Sequence, residues 1–258
     1  MSFPYKRIVC LTEETVEILY MLGEQDRIVG VSGYAVRPKQ VRHEKPRVSA
    51  FISANIKKIV DLKPDLVLTF SDLQAEIVAA LIKEGIEVHA FNQRSIQEIL
   101  EMIKCIGALV GQQKKADKLA HSLMAKLREV QQSFTNKMRP LVYFEEWDNP
   151  QISGIFWVSE LIEIAGGTDI FRHLRHHKSA KNRIVSSKDV ISRQPDIILA
   201  SWCGKKVQTK KIIERTGWSS IPAVINGKIH EIKSPIILQP GPAALTDGLD
   251  AMVRFIQS

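Results

Sequence analysis

No apolar run in this chain approaches the ~20 residues that a membrane-crossing helix needs. The longest, around Leu66-Val67-Leu68 and Ile197-Ile198-Leu199-Ala200, are strand-length. Cysteine is scarce: Cys10, Cys105 and Cys203 lie far apart, without the paired CxxC spacing of a zinc site. Three separate thiols read as buried, unpaired cysteines of a reducing compartment. There is no glycine-rich nucleotide loop, no HExxH and no recognisable Ser-His-Asp order, so phosphate-cradling and common hydrolytic chemistries have no foothold. The start, Met1-Ser2-Phe3-Pro4-Tyr5-Lys6-Arg7, lacks the basic, apolar and small-residue regions of a leader. The expectation is a cytoplasmic protein, or a periplasmic or surface-tethered one if a leader has been removed.

Acids are also missing locally. The 258 residues carry a net charge of +8. Arg172, Arg175, Lys178, Lys181, Arg183 and Lys188 follow one another with no acid between them, and Lys205, Lys206, Lys210 and Lys211 form another basic group. No nucleic-acid-binding motif accompanies this charge, so solvated loops or a rim around an anionic partner are expected, and nucleic acid is not.

What is present is repetition. Asn55-Ile-Lys-Lys-Ile-Val-Asp-Leu-Lys-Pro64-Asp65-Leu-Val-Leu68 returns as Ser186-Ser-Lys-Asp-Val-Ile-Ser-Arg-Gln-Pro195-Asp196-Ile-Ile-Leu199. In each copy a capped helix precedes a Pro-Asp turn and a buried strand. Two lobes on one plan usually hold something between them. The apolar fraction of 45% provides for a real core.

Before the second copy, strands and helices alternate. Strands are expected over 7–11, 27–32, 65–70 and 87–91, and helices after the Thr12 and Asn55 caps and over 74–83, with stops at Gly23 and Gly85. From Ser95 to about Phe134, apolar residues fall at helical spacing, divided by Gly111, and the second helix there would run ~20 residues, or ~30 Å. The plan then resumes with strands at 141–145, 196–201 and 229–232 and a closing helix over 245–256. The expected fold is α/β: two Rossmann-like lobes with central parallel sheets (1–110 and 140–258), joined by a long linking helix (111–139) that should limit lobe motion.

These segments resemble the helix-linked class of periplasmic binding proteins, in particular its cobalamin-binding branch and the unsecreted members of that branch. The resemblance covers nearly the whole chain. It rests on Arg7-Ile-Val-Cys-Leu-Thr12 with Thr15-Val-Glu-Ile-Leu19, on Arg27-Ile-Val-Gly-Val-Ser32, on Lys63-Pro-Asp-Leu-Val-Leu68, on Glu160-Leu-Ile-Glu-Ile-Ala-Gly-Gly167 and on Gln194-Pro-Asp-Ile-Ile-Leu199. Glu145-Glu-Trp-Asp-Asn-Pro150, Phe156-Trp157 and Gln239-Pro-Gly-Pro242 resemble the unsecreted subgroup. The resemblance implies a substrate-binding protein rather than an enzyme, holding cobalamin or a related corrinoid as ligand, with no covalent cofactor and no structural metal. The resemblance also implies an ABC permease partner, which two docking positions in this sequence oppose.

Tyr34, Phe51 and Phe70 lie at strand ends or just after them, as do Trp157 and Trp202, and opposed aromatic faces suit a flat macrocycle. Core and lining are both open for Phe51 and Phe70. For Tyr34 and Trp202 lining is favoured, because each has a polar handle to satisfy. His173, His176 and His177 could ligate a bound metal centre, although a solvated basic loop is the simpler expectation. Glu145, Glu146 and Asp148 read as a salt-bridged knot rather than acid/base machinery. In transporter-dedicated members each lobe presents a glutamate to arginines of the permease. The matching positions here are Lys57 and Lys188, so a standard permease would be repelled. The alternatives are a haem or ferric-siderophore binding protein of an ABC importer, and a cytosolic corrinoid-processing enzyme using Cys203.

Overall fold

A computed structural model describes residues 3–258. They form two compact units, one of residues up to Gln93 plus Gln97–Ser122, the other of Arg94–Ile96 and Leu123–Ser258. The division falls inside the long Gln113–Ser133 helix, which follows the Ile96–Leu109 helix after a turn at Gly111.

The first unit is built on five parallel strands: β1 (Ile8–Cys10), β2 (Ile28–Ser32), β3 (Arg47–Ser49), β4 (Leu66–Phe70) and β5 (Val88–Phe91), in the order β3-β2-β1-β4-β5. β1 and β4 are buried along their whole length, which is why they read as unbroken apolar runs and not as alternating ones. Val9, Leu11 and Val67 pack with Ile59, Ile77 and Leu81 of the flanking helices. The Glu13–Leu22 helix stops at Gly23, whose φ of 76° is left-handed.

The second unit is centred on β6 (Leu141–Asp148). One side of β6 pairs in parallel with β9 (Ile197–Ala200), and β9 pairs with β10 (Ile229–Glu231). The other side is shared: β8 (Thr168–Asp169) runs parallel to the start of β6, and β7 (Gln151–Ser153) runs antiparallel to its end. The sequence reading ended this strand at Glu145 and expected only parallel neighbours. Instead the strand continues to Asp148 and turns at Asn149-Pro150 into a hairpin. Tyr143, edge-on to Phe171 (5.6 Å) and Trp218 (6.2 Å), anchors the core. At the end of the Phe156–Ile164 helix, Gly166 has φ 84°, and a Cβ there would stand 2.7 Å from Phe134.

The repeat has a local explanation. Asn55 caps its helix by accepting from Lys58 N–H (2.9 Å), and Ser186 caps the matching one in a reciprocal capping box with Asp189. Lys63 and Gln194, the residues before the prolines, both take positive φ. The following aspartates then tie neighbouring strands together at their starts. The Asp65 carboxylate accepts from Lys6 and Arg7 N–H (2.8 and 2.9 Å), and that of Asp196 from Leu141 N–H (2.7 Å). Pro-Asp thus sets strand register in each unit.

Cys10 is buried as expected, but Cys105 is half-buried and Cys203 exposed, so the reading of three buried thiols holds only for the first. Among the described residues no helix is long and apolar enough to cross a membrane, and no group of three or more His, Cys, Asp or Glu side chains could hold a metal.

Candidate functional site

In the first unit the chain leaves β1 in both directions, through β2 and β3 on one side and β4 and β5 on the other. Such a switch point, at the carboxyl ends of the strands, is where open α/β sheets take ligands. Here it is built by the turns after β1, β2, β3 and β4. Gln74, fully buried at the start of the Ala75–Lys83 helix, organises three of them. Its amide carbonyl accepts from Phe70 N–H (3.0 Å), and its NH₂ donates to the carbonyls of Leu11 (3.3 Å) and Phe51 (2.8 Å). Beside it Ser71 holds φ 61° and ψ 176°, a conformation nearly confined to glycine that costs about 1–3 kcal/mol.

Tyr34, past β2, is 52% exposed, and its N–H donates to Ser32 Oγ (3.2 Å). Phe51 is half-buried and Phe70 is buried at the end of β4. A separate cavity of about 260 Å³ lies beyond β5, lined by Phe91, Gln93, Glu98, Glu101, Met102 and Cys105. It falls below the size of an ordinary small-molecule site and includes none of the expected rings.

The most unusual chemistry follows β1. Thr12, Glu13 and Glu14 are 2%, 5% and 1% exposed. Thr12 Oγ1, Glu13 Oε2 and both carboxylate oxygens of Glu14 have no hydrogen-bond partner. Buried polar atoms are rarely left so, at about 1–3 kcal/mol each. Burial pushes the Glu13 carboxyl up to about 8, with Glu14 and Glu17 adding to the rise and a Val36 backbone contact and Arg37 opposing it. Burial likewise raises Glu14 to about 7 against the lowering effect of the Thr12 hydroxyl and the Gln93 side chain, which approach it outside the geometry of a full hydrogen bond. The sequence reading passed over this pair, because acids in a first helical turn are ordinarily solvated and favoured by the helix dipole.

In the second unit the end of β6 carries three ion pairs. Glu145, fully buried, is forked by Arg215 (3.0 Å for Nη2) and also accepts from Trp202 Nε1 (3.1 Å) and the Tyr143 hydroxyl (3.2 Å). Arg183, 1% exposed, grips Glu146 with both Nη atoms at 2.7 and 3.0 Å. Lys205 meets Asp148 at 2.6 Å and lies over the rings of Trp147 (4.0 Å) and Trp202 (5.0 Å). Burial raises the Asp148 carboxyl, but Lys205 and the N–H groups of Asp148 and Asn149 outweigh it and hold the carboxyl below its usual range. The acids are therefore salt-bridged as expected, with Glu145 and Arg183 in the interior and not on the surface.

Trp157 and Trp202 are enclosed. Trp157 donates to the Ile237 carbonyl (2.9 Å), and the polar handle of Trp202, expected to face a ligand, is taken by Glu145. His173, His176 and His177 are exposed in the basic loop, His176 edge-on to Phe156 at 4.8 Å. Lys57 and Lys188 are exposed, each at the second position of its capped helix.

Comparison with known proteins accords with this architecture. A family model described as periplasmic binding protein matches residues 8–236. An uncharacterized ABC transporter substrate-binding lipoprotein, YvrC of Bacillus subtilis, is 27% identical over 97% of this chain and 80% of its own length. A vitamin B12-binding protein of Vibrio cholerae is 25% identical over 99% of this chain and 90% of its own. The solved periplasmic heme-binding protein RhuT of Roseiflexus superposes with a TM-score of 0.82 at 22% identity, covering 98% of this chain and 99% of that one. With the match extending from β1 to the last strand and beyond, the chain belongs to the periplasmic binding protein family.

Proposed function

We propose that this substrate-binding protein carries a flat, metal-centred macrocycle, a corrinoid of the cobalamin kind, and performs no chemistry on it. The observation that carries the reading is the placing of Tyr34 and Phe51 past β2 and β3, at the carboxyl edge where open α/β sheets take ligands. An exposed ring on a backbone turn stacks on an apolar ligand face with little entropy loss. Similarity to a vitamin B12-binding protein along nearly the whole chain supports the same choice. Within this reading, residues 1–110 and 140–258 act as lobes and 111–139 as the linker. The test is calorimetry of the purified protein with aquocobalamin, cyanocobalamin, haem and a ferric-siderophore panel. Binding of a corrinoid alone is expected; failure to bind any corrinoid overturns the ligand assignment and leaves the fold intact.

A second reading, a haem or ferric-siderophore carrier, is supported by the exposed Arg172, His173, His176, His177, Lys178 and Lys181 and by the likeness to a heme-binding fold. Spectra of the bound pigment in His173→Ala, His176→Ala and His177→Ala variants separate the readings, because unchanged bands remove histidine ligation. A corrinoid-processing enzyme would instead show turnover that is lost in Cys203→Ser.

Partner choice follows from Lys57 and Lys188. Both are exposed, at a step where transporter-dedicated relatives resemble one another in carrying glutamate, so docking on a standard cobalamin permease is opposed by like charge. Tight docking to such a permease in a pull-down would remove this part of the proposal.

A further inference from the structure

Thr12, Glu13 and Glu14 stand immediately after β1, at the switch point between β1 and β4. Four of their side-chain oxygens are buried and without a hydrogen-bond partner. Thr12 occupies the cap position of the Glu13–Leu22 helix, yet its hydroxyl makes no capping bond. A group of acceptors left unmet at the edge of the sheet where a ligand is taken is complementary to donors on that ligand.

We infer that Glu13 and Glu14, with Thr12, read the polarity of the ligand's edge, accepting one that carries carboxamide N–H groups and rejecting one that carries carboxylates. The inference rests on the macrocycle reading above and sharpens it. Corrinoid rings of the cobalamin kind are fringed with amides, whereas haem carries propionates.

The charged and titratable groups around the pair are few, and one of them, the buried Cys10 thiol of β1, is itself pushed up to about 12, chiefly by burial and in part by Glu14, so it stays neutral across the range that matters. Glu17 stands one turn along the same helix, and Arg37, from the loop after β2, is paired with Glu17 at 3.1 Å. The Val36 backbone reaches Glu13, and Thr12 and the Gln93 amide lie beside Glu14. With carboxyls raised to about 8 and about 7, the pair passes from neutral to charged around neutrality. An amide fits both states: its N–H donates to the acid oxygens, and its carbonyl accepts from a protonated carboxyl. A ligand carboxylate fits only the protonated pair, and meets like charge once the pair ionises. Discrimination against carboxylates should therefore widen as pH rises.

The test compares ligands that differ only in this edge. Cobyrinamide, the heptaamide of cobyrinic acid, is set against cobyrinic acid itself, in which the ring amides are replaced by carboxylates, and haem against its bis-amide. Affinities are measured by calorimetry at about pH 6 and about pH 9, on either side of the raised pKa values. The wild type is expected to prefer the amide form by at least about tenfold at the higher pH and by several-fold less at the lower. Glu13→Gln and Glu14→Gln, singly and together, should flatten that pH dependence. Gln is nearly isosteric, and a melting temperature at high pH no lower than that of the wild type confirms folding. Equal corrinoid affinities at high pH, or a pH response unchanged in the double variant, overturn the inference and leave the macrocycle reading standing. Preference for haem bis-amide over haem, with no corrinoid bound, overturns the corrinoid reading and keeps the inference. No binding of any of the four removes both.

Discussion

The side-chain amide of Gln74 donates a 2.8 Å hydrogen bond to the carbonyl of Phe51, while its own carbonyl accepts from the N–H of Phe70. One buried side chain thereby ties the turn after β3 to the end of β4 and, through Leu11, to the end of β1. Each net bond contributes about 1 kcal/mol, and the stranded backbone groups cost more. Gln74→Ala should lower stability by about 2–4 kcal/mol in denaturant unfolding. It should also weaken ligand binding, because the Phe51 turn loses its fixed position. Unchanged stability would mean that water replaces the amide without cost.

The pair formed by Glu145 and Arg215 behaves differently. The carboxylate is fully buried, and it holds Trp202 as well as the guanidinium, which lies over Trp218 at 4.6 Å. Removing one partner leaves an uncompensated buried charge. Arg215→Met should cost about 3–5 kcal/mol and shift Trp202 fluorescence. The double change Glu145→Gln with Arg215→Met should recover part of that loss. If Arg215→Met unfolds no more readily than the wild type, the pair is not structural.

Glu13 and Glu14 predict a pH profile for stability. Their folded-state carboxyls lie near 8 and 7, above the ordinary carboxylate value, so the folded protein holds protons that the unfolded chain releases. Their contribution is fully present below the unfolded pKa, and it is lost as pH rises through the folded values. Each pKa unit is worth about 1.4 kcal/mol, and the two raised values together put the loss at several kcal/mol, up to about 8, between about pH 5 and pH 8. Melting temperature should fall over that interval, and Glu13→Gln with Glu14→Gln should flatten the slope.

Elements fixed by neighbours in sequence were legible. The Asn55 and Ser186 caps, the glycine stops and the Pro-Asp strand starts follow from local sterics and hydrogen bonding, and each lies where the residues place it. Features decided by distant pairing were not. The β7 hairpin depends on β6 running three residues past Glu145. The partner of Trp202 is 57 residues away, and nothing around Trp202 announces a buried carboxylate. Gln74 looks in sequence like an ordinary helix-start residue, and Glu13 and Glu14 like solvated first-turn acids. Their burial is a property of the sheet edge, not of the residues beside them.

That division between edge and interior gives a last test, on the aromatic residues. Tyr34 is half-exposed, with only its backbone N–H engaged locally, so Tyr34→Ala removes little packing. If its ring stacks on a macrocycle, the variant should fold with a nearly wild-type melting temperature and lose about fivefold to tenfold in affinity, the worth of one aromatic contact. Trp157 and Trp202 reverse the pattern. Each is enclosed and hydrogen-bonded through its indole N–H, so replacement by Phe leaves Ile237 or Glu145 short of a donor and opens a void. Such variants should lose about 1–3 kcal/mol of stability, while the folded fraction binds ligand as the wild type does. Calorimetry and thermal unfolding on the same three variants separate the cases. An affinity loss at Trp202 larger than at Tyr34, without loss of stability, would return the tryptophan to the ligand-facing role that its sequence position suggested.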